Sequence, residues 1–278
     1  MSRVPFSLRR TALIAANTLR EAARQRLFLF LLGLALALVA GARWFRDFNF
    51  GAPELKFLFD CGQGAIAFFG AALTITASAQ LFFGEIENRT ALTLLAKPVW
   101  RAEFIAGKWL GLAALAAMFC ALLTALLVAV LWVREGQLMA LYPDNFSQGR
   151  AVGYGLVALA GLMQWLKLAV LAAFVLLVAS FAQTQLFTVV TGFFLLVIFH
   201  LQYLAQEAYA KSGALPGRVL GGLLAGMFPN FQLFALADSI SAAAMPSAAG
   251  VAIVCAYAAG YVAVAVALAV FSFRHREI

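Results

Sequence analysis

Charged residues are scarce in this chain, and the residue types from which metal sites and disulfides are built are scarcer still. Charged residues make up 12% of its 278 residues, against about 25% in soluble domains. The two histidines, His200 and His275, lie far apart in the sequence. Three cysteines stand singly in or beside apolar runs: Cys61, Cys120 and Cys255. Without paired spacing, these residues predict no disulfide, no bound metal and no cofactor on this chain.

Motifs of hydrolases and nucleotide-binding proteins are also missing. The sequence contains neither G-x-S-x-G nor H-E-x-x-H. Residues 106–109 read AGKW, but a phosphate-binding loop needs a glycine five residues before Gly107 and a serine or threonine in place of Trp109. The sequence therefore predicts that the chain is not an enzyme. If the protein uses ATP, another subunit binds it.

What the chain has in abundance is long apolar runs. Apolar residues make up 64% of the sequence, and a transmembrane helix needs about 20 predominantly apolar residues in succession. We therefore predict an all-α integral membrane protein, with one transmembrane domain over residues 1–278. The six predicted spans lie at about 27–45, 61–83, 109–133, 158–182, 186–205 and 251–273.

Residues 6–26 predict a helix that lies in the membrane surface. Small or apolar residues recur at helical spacing, and polar and basic residues fall mainly on the other side, as in interfacial helices. The apolar stripe consists of Leu8, Ala12, Ala15, Leu19 and Ala22. The alternative is a basic flank that only sets the topology.

Lysine and arginine are distributed unevenly between the predicted loops. With the N-terminus inside, twelve of them fall before the first span, within residues 84–108 or after the last span, and seven fall in the outer segments. Basic residues concentrate on the cytoplasmic side of membrane proteins. The bias predicts that both termini and residues 84–108 lie in the cytoplasm.

The outer segment 206–250 is apolar but is interrupted by Pro216, Pro229 and Pro246. A loop so poor in charge is not expected to extend into water. Irregular backbone is tolerated at membrane depth where protein covers it. The segment therefore predicts short interfacial or re-entrant helices that cover the ends of the spans.

A few polar residues fall within or beside the predicted spans. Lys167 is the one charge inside an apolar run, and His200 and Glu207 lie near the outer end of the fifth span. Charges inside a membrane are costly and often mark a substrate pathway. Each of these residues also has a simpler interpretation, because Lys167 can extend toward the outer interface and the other two can anchor the span there.

The charged segment between the second and third spans, residues 84–108, also has two interpretations. Pro98 breaks a helix in its middle, and charged residues lie on both sides. A bent pair of helices of this kind suits a contact with another protein. A loop that only sets the topology accounts for the same composition.

The order of residues in this segment resembles a known family. Residues 85–111 read EIENRTALTLLAKPVWRAEFIAGKWLG. This stretch is similar to the pattern E-I-E-x-R-T, L-L-x-K-P and R-x-E-F-x-x-G-K of type-2 ABC export permeases. It looks most like their copper-processing, or multicopper-enzyme-maturation, subgroup. The resemblance covers residues 10–115 well, and beyond them it follows the layout of the spans.

The resemblance implies the six-helix permease subunit of an exporter, with an N-terminal interfacial helix. In such permeases the loop between the second and third spans is a coupling elbow that sits against a cytoplasmic ATPase. The elbow residues implied here are Glu85, Glu87, Arg89, Thr90, Pro98, Arg101, Gly107 and Lys108.

The same resemblance implies the partners and the location. Two ATPase subunits would hold ATP and Mg²⁺, and a second permease copy, identical or similar, would complete a dimer. The complex would lie in the bacterial inner membrane, among lipid, with no nucleic-acid partner. ATP hydrolysis would drive export by alternating access.

Two functions of other classes stay open. A secondary transporter independent of ATP should have buried ionisable groups at mid-membrane and usually an internal repeat; Lys167 alone fits. A non-transporting membrane scaffold or assembly factor is opposed only by the elbow pattern. The residues do not indicate the substrate.

Overall fold

The computed structural model describes residues 6–42, 44, 53–87, 100–146, 149–210, 222, 226–236 and 246–274. These residues form helices and no strand, which confirms the all-α prediction for the described part of the chain. The α-helices are α1 (Leu8–Ala23), α2 (Arg26–Gly41), α3 (Glu54–Glu87), α4 (Arg101–Leu141), α5 (Tyr154–Phe181), α6 (Gln185–Ala210) and α7 (Ala248–Arg274). Two short 3-10 helices cover Pro143–Phe146 and Phe231–Phe234.

Five of these helices, α3 to α7, are long and apolar enough to cross a membrane. The sixth predicted span, at about 27–45, falls largely on α2. With 16 residues, α2 rises only about 24 Å, less than the ~30 Å hydrocarbon core. It forms a candidate crossing only together with α1, from which it is bent by 66°.

The helix α4 extends well beyond the predicted span at 109–133. It is one continuous helix of 41 residues, about 60 Å long, so it projects beyond the hydrocarbon core. The prediction stopped at Lys108 and Arg134, the charged residues on either side of the apolar run, whereas the helix also includes Arg101, Glu103 and Glu135. These charges are accommodated inside the helix, because partners on neighbouring segments pair with them.

The helix α5 lies at the centre of the bundle and packs against α3, α4, α6 and α7. The bundle has two ends, which ion pairs and hydrogen bonds identify. We call the end that contains Glu85, Arg101 and Arg274 the elbow end. The end that contains Glu54 and Arg134 is the opposite end.

The helix α1 packs closely across the start of α4, and two glycines allow it to do so. A Cβ atom at Gly107 would lie 2.7 Å from Ile14 Cβ, and one at Gly111 would lie 2.6 Å from Thr18 Cβ. These distances are too short for any other residue without movement of α1. The Gly-x-x-x-Gly pair therefore positions a helix of the same chain.

The face of α1 that packs on α4 coincides with the predicted apolar stripe only in part. Ala22 of that stripe is fully buried, but Leu8, its first residue, is 78% exposed, and the buried Thr11 and Thr18 lie outside it. The glycines of α4 let the smaller, more polar face of α1 approach. The larger apolar side chains, including Leu13, are left on the exposed side.

The described part of the segment 206–250 reaches deep into the bundle. The hydroxyl of Tyr261, at the middle of α7, donates to the carbonyl oxygen of Gly226 over 3.0 Å. The amide of Asn230 donates to the hydroxyl of Tyr257 over 2.8 Å, and the rings of Phe231 and Phe199 are 5.2 Å apart. Because α6 ends and α7 begins at the opposite end, residues 226–236 enter the bundle from that end.

Candidate functional site

A buried carboxylate joins the start of α1 to the start of α4. Glu103 has no exposed side-chain surface, and one of its oxygens lies 2.7 Å from Arg10 Nη2. Its second oxygen accepts from Arg10 Nε at 3.0 Å, so the pair is bidentate. Such pairs fix orientation as well as distance. The backbone amide of Ser7 also donates to Glu103, over 2.6 Å.

The same carboxylate stabilises the start of its own helix. Glu103 accepts from the backbone amide of Trp100, over 3.1 Å. Trp100 is the N-cap residue of α4, and its amide would otherwise lack an intrahelical partner. Because Pro98 lies just before this cap in the sequence, α4 begins at a defined residue, with its first turn anchored to α1.

A second buried charge joins α4 to the end of α3. Lys108 is fully buried, and its Nζ lies 2.6 Å from Glu85 Oε1. The same nitrogen donates to the carbonyl oxygen of Leu81 over 2.9 Å and lies 5.8 Å from the centre of the Phe104 ring. A buried ammonium is tolerated only with partners of this kind.

A third contact joins α4 to the end of α7. Arg101 Nη1 donates to the carbonyl oxygen of Phe273 over 2.9 Å and also to that of Arg274. The last carbonyl groups of a helix lack intrahelical donors and carry partial negative charge, so a cation there is favourable. Arg101 therefore caps the C-terminal end of α7.

An aromatic cluster packs behind these polar contacts. The rings of Phe104 and Phe273 are stacked at 5.6 Å, and Phe82 contacts both, at 6.4 and 5.7 Å. All three side chains are buried. The cluster fills the space between α3, α4 and α7, which leaves the starting turns of α4 little freedom to move alone.

The structure brings four predicted elbow residues into this region and leaves the others undescribed. Glu85, Arg101, Gly107 and Lys108 lie together at the elbow end. Glu87 is the last residue of α3, and its side chain lies outside the described residues. The predictions for Arg89, Thr90 and Pro98, including the bend, also fall outside them.

Two residues of the region were missed by the sequence-based prediction, Arg10 and Glu103. The signal for Glu103 was present, because an acidic residue three positions after a helix cap is typical of a helix start. Nothing in the local sequence indicated Arg10, which precedes Glu103 by 93 residues.

The three predicted pathway residues lie on α5 and α6 in different surroundings. Lys167 is at the middle of α5 and lines a cavity between α3 and α5, whereas neither His200 nor Glu207 is among the residues that line it. The ring of His200 packs edge-on against Phe231 at 5.2 Å, and Glu207 is exposed. The three therefore do not line one shared cavity.

Comparison with known proteins identifies a family to which the chain is similar. The family model described as ABC-2 family transporter protein matches residues 12–278. Among curated proteins, none matches the chain. Members of this family are membrane subunits without a nucleotide-binding domain, and they typically work with an ATPase partner.

The match includes all seven α-helices apart from the first turn of α1, and it includes the start of α4 with its contacts to α3 and α7. Arg10, the partner of Glu103, precedes the matched residues. It names the family and no subgroup, so the resemblance to copper-processing permeases stays a prediction. On this coverage, the chain belongs to the ABC-2 family of transporter proteins, as a multi-pass membrane protein.

Proposed function

We propose that the chain is the permease subunit of an ATP-driven exporter, and that the start of α4 receives the force generated by a separate ATPase. The observation that carries this proposal is the set of contacts made by residues 101–108. Within two turns of helix, α4 is joined to α1, α3 and α7 by Glu103, Lys108 and Arg101.

These contacts favour movement of the helices as a unit. Breaking a buried ion pair on one side costs about 3–5 kcal/mol, and the Lys108–Glu85 pair has a fully buried cation. A displacement of the segment before Trp100 is therefore expected to carry the ends of three neighbouring helices with it. This is the behaviour that a coupling elbow requires.

The remaining parts of the proposal follow from the resemblance and the charge distribution. Two ATPase subunits bind ATP and Mg²⁺ and contact the elbow from the cytoplasm. A second copy of this chain, or a similar chain, completes the membrane part. Both termini lie in the cytoplasm of a bacterial cell, and closure of the ATPases on ATP switches the bundle between inward and outward access.

The test uses the ATPase that copurifies with the chain in mild detergent. We expect its turnover in the complex to differ from that of the isolated ATPase. Arg101→Gln should reduce this difference by roughly 5- to 150-fold, which corresponds to typical coupling energies of about 1–3 kcal/mol, because the charge-assisted hydrogen bonds to the end of α7 are lost.

Arg134→Gln is the matched control, because Arg134 lies on the same helix at the opposite end. It should leave the coupling at the parental level. The proposal is wrong if no ATPase copurifies and the chain moves solutes with an ion gradient alone, or if both variants uncouple the ATPase equally.

A further inference from the structure

An apolar cavity of about 880 Å³ lies between α5, α6 and α7. The last two turns of α5 form one wall, α7 lines it between Ala256 and Leu268, and α6 contributes Leu195. Residues 226–228, from the segment that enters the bundle from the opposite end, also border it. Ligand sites in proteins typically enclose about 300–1,000 Å³ and often lie between the helices of a bundle. The cavity therefore has the size and the setting of a ligand site.

The described lining of this cavity contains no charged side chain. Its only side-chain oxygen or nitrogen atoms are the hydroxyls of Tyr257 and Tyr261. Both hydroxyls are engaged by the entering segment, since Tyr257 accepts from the amide of Asn230 and Tyr261 donates to the carbonyl oxygen of Gly226. A group bound in the cavity is therefore held by apolar contact, and a charged or strongly polar group would lose its hydration there without replacement.

The cavity is elongated along α7. Ala256 and Leu268 both line it and are twelve positions apart, which corresponds to about 18 Å of helix. The hydrocarbon core of a membrane is ~30 Å thick, so one leaflet measures about 15 Å. On α5 the lining residues lie near Phe181, where the helix ends at the elbow end. The cavity therefore has about the length of one lipid chain in a single leaflet.

One side of the cavity opens to the outside of the bundle. Phe181, Val264 and Leu268 line it and are each at least half exposed. They belong to α5 and α7, which are long and apolar enough to cross a membrane. The hydrocarbon of the membrane therefore borders this opening, and an apolar chain can enter sideways without passing through a polar layer.

A glycine at the middle of α7 leaves room in the cavity. Gly260 belongs to the lining, and a Cβ atom there would meet nothing within 4 Å. Glycine in the interior of a helix is unfavourable for stability, and close packing against the rest of the described chain does not require it here. The position therefore offers space that a bound chain can fill.

We infer that this cavity binds one hydrocarbon chain of a membrane phospholipid, which enters through the exposed side between α5 and α7. The headgroup stays at the membrane surface near the elbow end, because the cavity offers it no polar partner. If the chain is an exporter, an amphiphile with such a hydrocarbon chain fits as its cargo. That extension rests on the proposed function, whereas the binding itself does not.

The test measures binding of dioleoylphosphatidylcholine to the full-length chain. The chain is purified and delipidated in a steroid-based detergent, which has no alkyl chain to compete for the cavity. The phospholipid is then added back, and native mass spectrometry counts both the bound lipids and the protein chains in each particle. We expect saturable binding of one phospholipid per chain.

Gly260→Leu should raise the half-saturating lipid concentration by roughly 10-fold or more. Its side chain fills part of the cavity, and a tenfold loss is expected when about two methylene groups of the lipid lose their apolar contact. Gly260→Ala adds a single carbon atom and should have a much smaller effect. Because both variants favour the helix over glycine, their difference reports the filling of the cavity and not the stability of α7.

The matched control is Gly33→Leu on α2. Gly33 is exposed, a Cβ atom there also meets nothing within 4 Å, and it lies outside the described lining of the cavity. This variant should bind the phospholipid as the parental chain does.

Three results would overturn the inference. In the first, the parental chain shows no saturable binding. In the second, Gly260→Leu and Gly33→Leu weaken binding equally. In the third, Gly260→Leu leaves lipid binding unchanged but separates the chains of a dimer, which would make this face an interface between copies. None of these readouts involves an ATPase, so a failure here leaves the copurification test of the exporter standing, and the reverse also holds.

Discussion

Lys108 and Glu103 carry charge at positions with no exposed surface, five residues apart on α4. Removing a charge from water is unfavourable unless an opposite charge and hydrogen bonds replace the lost hydration. Each residue therefore selects a specific partner, Glu85 for Lys108 and Arg10 for Glu103. The two pairs determine which helices meet at the elbow end.

We expect Lys108→Met to destabilise the protein by about 3–5 kcal/mol, because Glu85 loses the cation that neutralises it in a mostly buried position. The double variant Lys108→Met with Glu85→Gln should recover most of that loss, since no unpaired charge is left. Unfolding by denaturant in detergent gives the free energies of all four proteins. If the two single losses simply add in the double variant, the pair makes no direct contribution.

The pairs themselves could not be predicted from the sequence. The resemblance named Glu85 and Lys108 as members of one region, but their pairing depends on how α3 packs against α4. The same applies to Arg10 and Glu103, which are separated by 93 residues. Local patterns indicate where a helix begins, whereas contacts between distant helices depend on the whole packing.

At the scale of the helices, the apolar runs predicted the five helices that are long and apolar enough to cross a membrane, and they underestimated the length of these helices. Glu135 illustrates the reason. An acidic residue directly after an apolar run predicts a loop, so the span was predicted to end before Glu135, although this residue is buried within α4. In the structure it accepts from the backbone amides of Ala151 and Val152, over 2.7 and 2.9 Å. It thereby holds the connection to α5 and extends α4 beyond its apolar centre.

The contact between α1 and α4 gives a prediction at this scale. Gly111→Ala places a Cβ atom 2.6 Å from Thr18 Cβ and 2.7 Å from the carbonyl oxygen of Ala15, so α1 should separate from α4. Hydrogen exchange of residues 8–23 by mass spectrometry should become faster.

Gly136→Ala is the matched control on the same helix, because a Cβ atom there meets nothing within 4 Å. It should leave the exchange of α1 unchanged and stabilise α4 by about 0.5–1 kcal/mol, since alanine favours helices over glycine. Equal exchange of α1 in both variants would contradict the close packing.

At the scale of the whole molecule, burial is uneven around the bundle. In α3 and α5, about two thirds of the most apolar 18-residue stretch of each helix is buried within the bundle, against 22% in α6 and 17% in α7. The exposed faces of α6 and α7 are apolar, with Phe194, Val197, Val264 and Leu268 among their exposed side chains. Such faces suit contact with lipid or with a second membrane subunit.

The distribution of lysine and arginine gives the prediction at this scale. Because basic residues concentrate on the cytoplasmic side, green fluorescent protein fused after residue 278 should fluoresce, and alkaline phosphatase fused there should be inactive. Phosphatase inserted at residue 149, between α4 and α5, should be active. The opposite pattern would reverse the orientation and place the elbow away from any cytoplasmic ATPase.

The helix α7 connects the elbow end of the bundle with its opposite end. Its 27 residues form a rod of about 40 Å. Arg101 is hydrogen-bonded to the C-terminal end of α7. At the middle of α7, Tyr257 and Tyr261 are hydrogen-bonded to the segment that carries Phe234. Since Phe234 forms part of the wall of the cavity between α3 and α5, pulling the rod lengthwise at the elbow would shift that wall. A movement of α7 alone would then be enough to change the width of this cavity from the elbow end.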